Sequence, residues 1–355
     1  MTNKQTILVT GASGFIGGWI AEILHLSHSA DVRAGIRNWS SGARLARFPI
    51  EIVLCDVMDK QSISRAMLGA NCVVHSISGS SEAITQGTEN VLEVAHAQKI
   101  GRLVHLSSTE VYGKVRGEIN ETSPFKSMRN EYADAKIKAE QLCWQYYRSG
   151  LPITVVRPSI VYGPFSASWT IALAQRLQSG NWGILKGYGE GICNLVYVAD
   201  LVSGILLAAR HEHAVGEAFN MVGPESMTWN QYFKKFNAAL GLPELKVIDP
   251  ADAKLRAAVT DPVRSLGKFV LKHFSAPLRT MSQRNRLARE LLQYADRTLK
   301  TNPRTGDLSL YNREAVYLTT KARDILGYRP NFDVSRGLDL SVEWLRHAGL
   351  VEQLI

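Results

Sequence analysis

The sequence has 355 residues, 45% of them hydrophobic and 21% charged, and a formal net charge of +9. This composition excludes a disordered chain, and no apolar run approaches the roughly 20 residues a membrane-spanning helix needs. The length allows a large buried core, expected as one integrated unit of two lobes.

In chain order, short apolar runs alternate with helical patterns. "TILVTG" is followed by "GWIAEILHL", "DVRAGIR", "IEIVLCD", "CVVHSIS", "ENVLEVAHAQ", "RLVHLSS", "AKIKAEQLCWQYY" and "ITVVRPSIVYG". Strands apolar along their whole length and separated by helices call for a parallel sheet covered on both faces, so a doubly wound α/β sheet is expected over residues 1–160. From 161 to 355 the pattern loosens into helices, glycine-rich loops and short strands. This predicts a smaller, mixed α/β substrate-binding lobe, with some segments free to return to the first.

The first apolar run breaks at glycine too early for a signal peptide, and a cytoplasmic location is expected. The four cysteines (Cys55, Cys72, Cys143 and Cys193) sit mostly in apolar runs with no C-x-x-C pair, and they read as reduced core residues. No metal site is expected: the histidines offer no H-E-x-x-H pattern, and the nearest thing to a ligand pair, His211 and His213, lies in a polar connector.

Directly after the first strand comes "TGASGFIG", with Gly11, Gly14 and Gly17 at dinucleotide-binding spacing. Gly11 permits the tight turn, Gly14 lets backbone N–H groups approach a ligand, and Gly17 lets the helix pack close to the sheet. With Ser13, Phe15 and Ile16 these residues form a cradle for a pyrophosphate at a helix amino end. An ordinary tight turn is the simpler alternative.

The end of the second strand decides which dinucleotide fits. An NAD enzyme usually places an acid there, whereas this chain has Ile36 and then Arg37. An arginine can fork onto a 2′-phosphate, so NADP(H) is favoured over NAD(H), with Arg44 as a second phosphate contact. Arg37 could instead stack on the adenine. Asp56, followed by Val57 after the third strand, is placed to accept from the adenine amino group or to cap the strand end.

Tyr132 and Lys136 stand four apart on a predicted helix, so both emerge on one face. An ammonium beside a phenol favours the phenolate, which would let Tyr132 take or give a proton at a substrate oxygen. Ser108, at the end of its strand in "HLSSTEVYG", would hold the same oxygen. The spacing alone is common on amphipathic helices.

Taken together, "TGASGFIG", "GTENVLEVA", "SSTEVYG", the Tyr132/Lys136 pair, "VVRPSIVYGP", "YVADLVSGI" and "TTKARDILGYRP" occur in an order that resembles the extended short-chain dehydrogenases/reductases, which include nucleotide-sugar epimerases and dehydratases. The resemblance covers most of the chain. It implies a Rossmann first lobe binding a nicotinamide cofactor, substrate in the cleft between the lobes, Ser108, Tyr132 and Lys136 as the catalytic set, Lys136 on the nicotinamide ribose, and a homodimer.

Glu110 occupies the place where dehydratases and decarboxylases of that family carry a glutamate base, with Thr109 where dehydratases usually have an aspartate acid. Glu110 could equally be a solvated or capping residue. Many nucleotide-sugar enzymes also carry an asparagine and an arginine on the substrate's phosphates where this chain has Ile160 and Cys193.

The leading expectation is hydride transfer at a secondary alcohol or ketone of a nucleotide-linked sugar, as a 4-epimerase or ketoreductase. The runner-up is an NADPH-dependent reductase or dehydrogenase of a bulky apolar alcohol, similar to the dihydroflavonol-reductase and hydroxysteroid-dehydrogenase branches. A non-catalytic NADP-sensing protein is the third reading, against which the intact Ser108, Tyr132 and Lys136 speak.

Residues 254–304 carry twelve Lys/Arg against three Asp/Glu. Within them "PVRSLGKFVLKHFS" places Val263, Leu266, Val270 and Phe274 on one helical stripe and Arg264, Lys268 and Lys272 on another. Peripheral membrane contact or capture of a phosphate-bearing substrate stands against the favoured reading of a second-lobe helix with solvated lysines, its clustered charge explained partly by arginines such as Arg279 reaching a phosphate. Nucleic acid is not expected, because the segment has few aromatics and the rest of the chain is neutral.

Overall fold

The computed structural model describes residues 4–127, 130–252, 255, 258 and 305–351. Most of the basic segment, including Arg279, lies outside the described residues. The described residues fall into two compact units. The first lies within Met1–Tyr162, Asn194–Glu225 and Val316–Asp333, and the second within Gly163–Cys193, Ser226–Ala315 and Val334–Ile355.

The first unit is built on a parallel sheet. Its elements begin with β1 (Thr6–Thr10), α1 (Phe15–Leu26), β2 (Asp31–Ile36), β3 (Glu51–Leu54), α2 (Lys60–Met67), β4 (Cys72–His75), α3 (Ser81–Ala97) and β5 (Arg102–Leu106). A 3-10 turn (Thr109–Tyr112) and a short strand, β6 (Gly117–Ile119), lead to α4 (Glu131–Arg148), β7 (Ile153–Pro158) and β8 (Ile160–Tyr162). Seven strands share one sheet in the order Ala218–Met221, β7, β5, β4, β1, β2, β3, and every pairing is parallel. β4 and β7 are buried at every residue, as a sheet covered on both faces requires.

Chain order reverses beside β1, between its neighbours β2 and β4. In such sheets the crevice for a ligand opens at the carboxyl ends of the strands where the order turns. The register pairs Thr10 with Gly35 on one side and with His75 on the other, and His75 in turn with His105. The glycine loop, Ser76 and Ser107 therefore all leave the sheet at the same end.

The chain leaves this unit and returns twice. Asn194 O accepts from Ile160 N, and Ala218–Met221 adds the edge strand beside β7. Residues 316–333 return through Leu318 N, which donates to Ile119 O, and through Asp200, whose carboxylate accepts from Asn331 N and Phe332 N.

The second unit packs around aromatic side chains. Trp182 and Trp229 are buried, and Trp182 meets Phe233 and Tyr311 edge-on. The helix Trp229–Ala239 starts with a full capping box between Thr228 and Gln231.

Candidate functional site

The glycine loop has the geometry of an anion seat. Gly11 adopts φ +68°, and a Cβ there would stand 2.4 Å from Ser76 O. A Cβ on Gly17 would stand 2.3 Å from Gly11 O, backbone that cannot yield. α1 begins at Gly14 with no side-chain cap and no acidic residue in its first turn. Its orphan N–H groups and positive dipole end face no built-in carboxylate. These residues fit the pyrophosphate of a dinucleotide.

At the end of β2, Ile36 is buried and Arg37 is exposed, with no carboxylate among Ile36, Arg37 and Asn38. Arg44, expected as a second phosphate contact, is engaged by Glu22 in this structure. Its Nε and Nη2 donate to Glu22 at 2.7 and 2.8 Å, and its guanidinium lies across Gly18, where a Cβ would stand 2.8 Å from Nη1. A bidentate carboxylate partner commits most of its donors to clamping α1. Asp56 caps its own turn, one carboxylate oxygen accepting from Met58 N at 3.0 Å, while Val57 is buried and its carbonyl accepts from Asn90.

α4 presents Tyr132, Lys136 and Glu140 one turn apart on one face. Asn130 caps its start by accepting from Tyr132 N at 3.0 Å. Lys136 is buried, and its Nζ donates to Leu106 O at 2.7 Å and to Ile77 O at 3.1 Å. The ammonium thus ties the helix to chain leaving β5 and β4. Burial pulls its pKa down to about 8.

The ammonium sits 6.0 Å from the centre of the Tyr132 ring. The expectation that Lys136 lowers the phenol's pKa is not met in this structure. The pKa of Tyr132 is raised above its ordinary value, first by burial and also by the Glu110 carboxylate, against a lowering hydrogen bond from Ser108. Lys136 spends its charge on two carbonyls rather than on the hydroxyl. The Tyr132 side chain is nevertheless 37% exposed, so the ring is open to an approaching molecule.

Ser108 is buried at the start of the 3-10 turn, and its Oγ accepts from Glu110 N at 3.2 Å. Thr109 is buried and Glu110 half-buried in the same turn. Ser108, Glu110, Tyr132 and Lys136 are therefore brought together at the carboxyl end of β5.

Two groups escaped the sequence reading. The rings of His75 and His105, neighbours on β4 and β5, are tilted by 30° with centres 5.5 Å apart. His75 is held by Thr10 and Thr88, whereas neither ring nitrogen of buried His105 has a hydrogen-bond partner. The second group is a buried ion pair, Glu140 with Arg157, both almost fully enclosed. A lone arginine inside the apolar run "ITVVRPSIV" was the available signal, since a charge in a buried strand demands a partner.

A parallel sheet with a glycine loop at its switch point and a tyrosine and lysine on the neighbouring helix defines a dinucleotide-binding α/β enzyme. Residues 7–222 match the NAD dependent epimerase/dehydratase family, and the chain belongs to it. Over 96% of its length it is 26% identical to a protein of Sinorhizobium fredii, uncharacterized protein y4nL, covering 95% of that relative. Over 67% of its length it is 25% identical to the N-acetyl-alpha-D-glucosaminyl-diphospho-ditrans,octacis-undecaprenol 4-epimerase of Escherichia coli O157:H7, covering 73% of it. Among solved structures, the UDP-glucose 4-epimerase of Thermotoga maritima with UDP-glucose superposes with a TM-score of 0.72 at 22% identity, covering 97% of this chain and 99% of that one.

Proposed function

We propose that this enzyme transfers hydride at a secondary alcohol or ketone of a diphosphate-linked sugar, as a 4-epimerase or ketoreductase, with NADP(H) favoured over NAD(H). The observation that carries this reading is the convergence of Ser108, Tyr132 and Lys136 at the carboxyl end of β5, in the same unit as the glycine cradle. A bound nicotinamide supplies or accepts the hydride.

The chain's own residues handle binding and the proton. Its raised pKa leaves Tyr132 protonated at neutral pH, so it stands ready to give a proton to a carbonyl oxygen. Ser108 holds that oxygen by hydrogen bond. Lys136 fixes the helix against the strand ends and places a positive charge behind the ring. Arg37, exposed and without a neighbouring carboxylate on β2, is the residue that would read a 2′-phosphate.

The Escherichia coli relative acts on a sugar diphosphate carried by a polyprenol, so the carrier need not be a nucleotide. Ile160 and Cys193, standing where phosphate-contacting residues are common, support a second reading, reduction of a bulky apolar ketone. A mass-spectrometric screen separates the two. Nucleotide sugars, polyprenyl-diphosphate sugars and apolar ketones are incubated with enzyme and each cofactor. Unchanged mass with altered retention marks epimerisation, and a gain of two hydrogens marks reduction. Tyr132→Phe should lower the observed rate by about 10²–10⁴-fold. Turnover undiminished in that variant would remove Tyr132 from the chemistry.

A further inference from the structure

Directly behind the site lies a buried polar network that the proposed chemistry does not use. Glu140 continues the Tyr132–Lys136 face of α4 by one more turn and is fully enclosed. Its Oε2 accepts from Ser107 Oγ at 2.7 Å, and its carboxylate is gripped by Arg157 through Nε and Nη2. Ser107 is the residue before Ser108, and its N–H is bound to Val156 O at 2.8 Å.

Arg157, on β7, reaches the other side as well. Its Nη1 donates to Tyr112 Oη at 2.7 Å and to Glu121 O at 3.0 Å, and its guanidinium stacks over the Tyr112 and Phe125 rings. Tyr112 Oη in turn donates to Asn220 Oδ1 at 2.8 Å. Tyr112 closes the 3-10 turn that Ser108 opens. One carboxylate thus ties together the strand end carrying Ser108, the turn that follows it and the helix carrying Tyr132.

An ion pair this deep is a poor source of stability, because desolvating two charges offsets their attraction. Apolar residues of the same volume would hold β7 and α4 together as well. What they could not do is fix a hydroxyl-bearing backbone to hydrogen-bond tolerance. We propose that Glu140 is the positioning residue of the site, fixing Ser108 against Tyr132 through Ser107 and Arg157. This rests on the reading of Ser108 and Tyr132 as the proton-handling pair.

The test reads the position of Tyr132 without any substrate. The twelve tyrosines are replaced by 3-fluorotyrosine, and the fluorine resonance missing from Tyr132→Phe identifies Tyr132. Its titration is followed in wild type, Ser107→Ala, Glu140→Gln and the double variant Glu140→Leu/Arg157→Met, with the melting temperature of each. Glu110 and Lys136, the charged groups beside the phenol, stay unchanged throughout. Weakening the Ser108 hydrogen bond should raise the Tyr132 pKa by about one unit in Ser107→Ala and Glu140→Gln. The double variant should regain the melting temperature while Tyr132 stays displaced.

A Tyr132 titration unmoved by Ser107→Ala overturns the proposal, and so does a double variant in which titration and melting temperature recover together. Should Glu140→Gln fail to fold, Ser107→Ala decides alone. The titration reports where the phenol lies whatever it catalyses, so loss of turnover in Tyr132→Phe tests the catalytic reading separately.

Discussion

Single residues set what this site can recognise. Arg37 is exposed at the end of β2 with Ile36 and Asn38 as its sequence neighbours, while Arg44 is paired with Glu22. The proposed preference for NADP(H) then rests on Arg37 alone. Arg37→Ala should weaken NADPH binding by about tenfold or more, the worth of one charge-assisted contact, and leave NADH binding within a factor of two or so. Fluorescence titration of both cofactors checks this, and equal losses for the two would mean that Arg37 touches the shared part of the molecule. The pairing of Arg44 with Glu22 is not legible in the sequence. Glu22 on α1 is separated from Arg44 by the end of that helix, all of β2 and the turn after it, and nothing in local spacing pairs residues 22 apart. The environment of the phenol is equally hidden, since the carbonyls that capture Lys136 come from β5 and the chain after β4.

At the level of elements, structure is legible in the sequence where periodicity carries the information. The strands of the sheet, the glycine turn, α1 and the Tyr132 helix follow from apolar runs and fixed spacings. The His75–His105 contact does not, because it depends on which strands become neighbours and in what register. That contact has a consequence for acid stability. Burial, with Lys136 adding to it, holds His75 down at about 3, and His105 is lowered well below its ordinary value. Above the unfolded value of 6.5 both states are neutral and no proton is exchanged. As pH falls through 6.5 toward 3, the unfolded chain binds protons that the folded chain refuses, so stability is lost at up to about 1.4 kcal/mol per pH unit for each histidine. His105→Phe should remove one of the two slopes and, by eliminating two unpartnered ring nitrogens, add about 1 kcal/mol at neutral pH. Urea unfolding at pH 7 and at pH 5 measures both, and an unchanged pH dependence would place the acid sensitivity elsewhere.

For the whole molecule, the parallel sheet with its order reversing beside β1 was legible from the alternation of strands and helices. The two returns of the chain to the first unit, at Asn194–Glu225 and Val316–Asp333, were left open because short strands late in a chain carry no mark of the sheet they join. Among the described residues no helix is long and apolar enough to cross a membrane. The proposed hydride transfer presupposes a dinucleotide seated on the glycine loop. Isothermal titration of NADPH into wild type and into Gly17→Ala tests that seat most directly. A methyl group at position 17 collides with the Gly11 backbone, so the variant, still folded by circular dichroism, should bind at least about 30-fold more weakly, a loss of ~2 kcal/mol in phosphate hydrogen bonds. Equal affinity in the two proteins, or no binding to wild type of either NADPH or NADH, would contradict it.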